Sequence, residues 1–95
     1  MKTRKQKVEK VRDQVLEKLN KNDITPHEET WKTNEDICML WISTPHSSGV
    51  IFIIPTRKDN GNLDVVVSTS QPVTTVNPEK EIPEFLLESH VNHFK

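Results

Sequence analysis

Two neighbouring segments, Ile37 to Ser43 (ICMLWIS) and Val50 to Pro55 (VIFIIP), are apolar at consecutive positions instead of alternate ones. Successive side chains of a strand point to opposite faces of its sheet. Ile37, Met39 and Trp41 therefore oppose Cys38, Leu40 and Ile42, and Val50, Phe52 and Ile54 oppose Ile51 and Ile53. A strand with water on one face would alternate apolar and polar residues. Both faces of this hairpin thus call for cover. Either one helix lies on each face, or both helices lie on one face and the second face meets another chain.

The helices that would supply that cover sit at the two ends of the sequence. Val8, Val11, Val15, Leu16 and Leu19 follow the spacing of an amphipathic helix, predicted over about residues 3–22. Thr3 is its candidate N-cap, and Asn22-Asp23 followed by Pro26 supplies the stop. A second helix is expected over about 82–94, with Pro83 in its first turn. Projected as one continuous helix, Ile82, Phe85, Leu86, Leu87, Val91 and Phe94 cover most of its circumference, more than a single sheet can bury.

Between the helices, strands are expected at about 28–33, 37–43, 50–55 and 63–68. Thr44 to Gly49 has turn composition, and Asp59-Asn-Gly-Asn62 is the strongest hairpin signal, because Asn-Gly readily takes positive φ. Residues 69–78, rich in Ser, Thr and Pro, read as a loop with a possible edge strand. The fold class is α+β in a single domain over 1–95: an N-terminal amphipathic helix, a three- or four-stranded antiparallel meander and a C-terminal helix.

Composition narrows the function. Val, Ile, Leu and Phe supply 26 of 95 residues, and the net charge is −1, which excludes a wholly disordered chain. No apolar run is long enough to span a membrane and no secretory leader is recognisable, so a cytoplasmic protein with no membrane partner is expected. The single cysteine, Cys38, cannot form an intrachain disulfide, and with two glycines the chain has no phosphate-cradling loop.

Charge is distributed unevenly. Residues 1–23 carry eight bases and four acids, the remainder five bases and ten acids. On the first helix Lys7, Lys10, Lys18 and Lys21 share one flank and Glu9, Asp13 and Glu17 the other. Like charges four apart repel on an isolated helix, so separate neighbours are expected for the two flanks. The lysine flank is the candidate surface for an acidic protein or, as the alternative, for nucleic acid. No exposed aromatic interleaves with it, and the acidic flank would repel phosphates.

Catalytic signals are thin. His90 and His93 have a helical ligand spacing, yet no H-E-x-x-H pattern accompanies them and both fall in the apolar arc. Ser43, Ser47, Ser48 and His46 lie in a turn without a nucleophile elbow, and Cys38 lies in the most apolar strand. The carboxylates Asp59 and Asp64 flank a turn, where Asp has a conformational role. No enzyme activity, cofactor or metal is expected.

The element order resembles that of small bacterial chaperone-like α+β domains, in which terminal helices flank a meander. Compact chains without catalytic groups also serve phages and mobile elements as inhibitors. The sequence thus points to a protein-interaction module, expected to self-associate as a symmetric dimer. Leu87, Val91 and Phe94 are the expected partner-contact residues, with Lys7, Lys10, Lys18 and Lys21 as the basic contact flank.

Overall fold

A computed structural model describes residues 3–58 and 61–95. Helix α1 runs over Arg4–Lys21. Thr3 caps it in a reciprocal box: the Gln6 amide donates to Thr3 Oγ1 at 3.1 Å, and the Thr3 amide donates to Gln6 Oε1 at 2.8 Å. At its other end the Asn22, Asp23 and Ile24 amides donate to the Leu19 and Asn20 carbonyls, with Asp23 at φ 58°.

Five strands follow: β1 (Glu28–Lys32), β2 (Ile37–Ser43), β3 (Ser48–Arg57), β4 (Leu63–Ser68) and β5 (Val73–Val76). They form one antiparallel sheet in chain order, so each strand is hydrogen-bonded only to its sequence neighbours. The strand count is five, where three or four were expected. The additional strand is β5, which pairs Val76 with Val65 and Val73 with Ser68 across the sheet's last ladder. Gly61 takes φ 84° in the β3–β4 turn, as the Asn-Gly signal requires, while Asp59 and Asn60 lie outside the described residues.

After β5 the chain makes a 3-10 turn at Glu84–Leu86 and then a short helix α2 (Glu88–Asn92). The continuous helix expected over 82–94 is therefore corrected. The Leu86 and Leu87 amides bond three residues back, to Pro83 and Glu84, and the Leu86 carbonyl accepts from the Thr74 hydroxyl at 3.4 Å. Phe85 is left exposed in the 3-10 turn, while Leu87, Val91 and Phe94 are buried.

The core has one layer of helix on one face of sheet. Val8, Val11, Val15 and Leu19 of α1 and Leu87, Val91 and Phe94 of the C-terminal segment are buried with Cys38, Leu40, Ile42, Ile51, Ile53, Val65, Val67 and Val76. Every strand residue in that cluster has the same facing parity. Both helices thus lie on one face of the sheet. Leu40 sits fully buried in this cluster, so Leu40→Ala should cost about 2 to 5 kcal/mol of unfolding free energy. Thr3→Ala, which removes only the cap, should cost about 1 kcal/mol. Urea denaturation of the two variants, monitored by circular dichroism, checks both values.

Candidate interaction surface

Among the described residues no helix lies over the opposite face of the sheet. Its central row crosses all five strands: Thr30 pairs with Met39, Met39 with Phe52, Phe52 with Ser68 and Ser68 with Val73. To one side lies the row Glu28, Trp41 and Val50; to the other lie Lys32 with Ile37, and Ile54 with Val66 and Thr75. Trp41 and Phe52 are each 37% exposed and Val73 is 62% exposed, large values for such side chains in a chain of this size. The Trp41 indole donates to Thr30 Oγ1 at 2.9 Å, which satisfies its polar edge. The result is an apolar surface, uncharged at its centre, on a rigid five-stranded support.

Leu87, Val91 and Phe94, the expected partner-contact residues, lie in the core of the chain and not on its surface. All three are buried against the chain's own sheet, with the Phe94 ring beside Gly49. The wide arc that joined them to Ile82, Phe85 and Leu86 was a projection of one unbroken helix, which the 3-10 turn interrupts. Phe85 alone of that set faces water, at 69% exposure.

Three lysines of the flank, Lys7, Lys18 and Lys21, are matched from within the fold. Lys7 reaches Glu79 at 3.5 Å, Lys18 lies between Glu84 at 3.8 Å and Glu88 at 3.9 Å, and Lys21 hydrogen-bonds Glu84. That bond, with the lysine's charge, holds the Glu84 carboxyl below its usual range. Lys18, Lys21 and Glu84, with Lys10, Asp13 and Gln14, line a groove of about 360 Å³ between α1 and the segment around Ile82. The Ile82 amide donates to Gln14 Oε1 at 2.8 Å across it. The acidic flank has its own neighbour. Arg12 bridges Asp13 at 2.8 Å and Glu29 at 3.1 Å, and its guanidinium lies 5.8 Å from the Trp31 ring centre, with Lys5 at 5.2 Å.

Cys38, Thr44 and His90 each make contacts within the fold. Burial pushes the Cys38 thiol up to about 12. Thr44 Oγ1 accepts from the Ser47 amide and donates to the Phe94 carbonyl at 2.6 Å, so the β2–β3 turn ties down the end of the C-terminal segment. His90 is 1% exposed, with Nδ1 2.8 Å from Thr69 Oγ1 and Nε2 2.7 Å from Thr74 Oγ1. Because Thr74 also donates to the Leu86 carbonyl, we assign the proton to Nε2, donating to Thr74, with Thr69 donating to Nδ1. His93 instead sets its ring edge-to-face on Phe94, 4.9 Å between centres. Among the described residues no three His, Cys, Asp or Glu side chains gather as metal ligands.

Sequence reasoning missed Thr44, Thr69 and Thr74, since a threonine's partner 16, 21 or 50 residues away leaves no local signal. No family model matches the chain, and searches of curated proteins and of solved structures find no significant match. Among the described residues no helix is long and apolar enough to cross a membrane.

His90 makes stability depend on pH. Burial alone lowers its pKa from the ordinary imidazole value. The unfolded chain therefore takes up a proton that the folded chain refuses, so this contribution is complete above about pH 6.5 and is lost as the pH falls below it. The slope cannot exceed about 1.4 kcal/mol per pH unit for one proton. Denaturant midpoints measured from roughly pH 8 down to pH 5 should decline in that window, and His90→Gln should flatten the decline.

Proposed function

We propose that this chain is a small non-enzymatic protein-interaction module, a regulator, inhibitor or chaperone-like adaptor, which binds through the uncovered face of its sheet. The placement of both helices on one face carries the reading, because it leaves Met39, Trp41, Val50, Phe52, Ile54 and Val66 together on the other. A sheet face kept for water carries polar residues at these positions. A contiguous apolar patch rimmed by polar residues is the usual mark of a protein contact, and Trp is the residue type most enriched at contact hot spots.

The nucleic-acid alternative has less support. Lys7, Lys18 and Lys21 already face Glu79, Glu84 and Glu88, so a phosphate backbone would approach carboxylates together with the lysines. Binding to DNA or RNA should accordingly be weak and should vanish with added salt. Submicromolar affinity at physiological salt, lost on charge reversal of Lys7, Lys10, Lys18 and Lys21, would replace the protein reading with this one.

The direct test is photocrosslinking in the native host, with p-benzoylphenylalanine placed at position 52 and, as a control, at position 85. Discrete protein adducts are expected from position 52 and none from position 85, which is exposed but lies off the sheet face. The same outcome at both positions, or no adduct from position 52, overturns the reading.

A further inference from the structure

Resting on that reading, we propose that the uncovered face is closed by a second copy of this chain. The two sheets stack face to face about a twofold axis that runs across the strands, along the row Thr30, Met39, Phe52, Ser68 and Val73.

The distribution of charge selects this occupant. Across the central row and the rows on either side of it, the only charged positions are Glu28 and Lys32, at opposite ends of β1 and one on each side of the axis. Rotation about the axis exchanges the two sides. It lays Glu28 over Lys32 of the partner subunit and Lys32 over Glu28 of the partner subunit, two opposite-charge pairs at one rim of the interface. Lys32 leans on Glu35 at 3.4 Å in the free chain, an exposed pair that is readily exchanged. The same rotation sets the Trp41 and Val50 side over the Ile54 and Val66 side, bulk against branched aliphatics, with Phe52 near the axis. An acidic or basic partner would find no countercharge on the centre of this face, whereas a copy meets a neutral apolar surface of its own kind.

Size agrees with the charge pattern. Five strands spaced at about 4.8 Å span roughly 24 Å, and strands averaging about six residues run roughly 20 Å. The flat footprint of about 480 Å² grows with side-chain relief toward the ~800 Å² per partner of a standard stable interface. Two sheets packed in this way lie about 10 Å apart with interdigitated side chains, the arrangement of a β-sandwich core. Each copy then has helices outside and sheet inside, and no apolar sheet face is left to water.

Sedimentation equilibrium of the full chain across the micromolar range should give twice the 11.0 kDa chain mass. Phe52→Lys should weaken the dimer at least tenfold. Val73→Lys, at a position already 62% exposed on the edge strand, should act in the same direction without endangering the fold. Phe85→Lys should leave the dimer intact. Glu28→Lys should weaken association by like-charge contact with Lys32 of the partner subunit, and adding Lys32→Glu in the same chain should restore it; the response to Phe52→Lys separates this stacking from edge pairing of β1, which leaves position 52 free. A wild-type monomer throughout the range overturns the proposal, as does a dimer indifferent to both Phe52→Lys and Val73→Lys, or a double charge swap that fails to restore. A monomer that still gives adducts to another protein from position 52 removes the second copy but leaves the interaction reading standing. A monomer without adducts removes both.

Discussion

Burial of one sheet face under the stripe Val8, Val11, Val15 and Leu19 is the contact on which the rest of the molecule depends. Strand side chains alternate with a period of two, so once α1 claims Leu40, Ile51, Ile53 and Val65, the neighbours Met39, Trp41, Phe52 and Val66 must point the other way. Slipping one strand by a residue would exchange the two sets but would not remove the problem, because β2 and β3 are apolar on both sides. The chain has two apolar sheet faces, and the sheet of the free chain has helices for one. That mismatch is a property of its sequence.

The charges on α1 serve the same contact. Its lysine flank meets carboxylates around the C-terminal segment, and Arg12 gathers Asp13 and Glu29 beside Trp31. Exposed pairs of this kind contribute little each, at most about 1 kcal/mol. They join α1 to the segment around Glu84 and Glu88, beside which Leu87, Val91 and Phe94 complete the inner layer. The excess of bases near the start of the chain and of acids in the remainder is thus balanced largely within the fold.

Local patterns of strong period were legible in the sequence. Helix α1 and its Thr3 cap, β2 at 37–43 and β4 at 63–68 stand where periodicity and turn chemistry put them. Strand β5 was half legible, because Val73 and Thr75 face water and its place in the sheet comes from backbone pairing with β4, which carries no side-chain signature. The C-terminal segment misled because a projection at constant angle assumes an unbroken helix; the apolar residues were recognised, and their destination was not. The candidate surface was legible as an excess of apolar residues in the hairpin. Which face stays bare depends on where a helix 60 residues or more along the chain from α1 comes to rest, a long-range fact with no local trace.

The chain-order meander also shapes how this molecule reaches its native state. Each strand pairs with the one made just before it, so the ladders close short loops and the sheet can assemble quickly. Helix α1 precedes every strand in the chain, whereas the segment bearing Leu87, Val91 and Phe94 follows them all. That segment's hold on the sheet runs through His90, seated between Thr69 just after β4 and Thr74 of β5. Burial lowers the pKa of this imidazole, so protonating it in mild acid favours release of the segment over its closed position, which would bare part of the inner face of the sheet as well as the outer one.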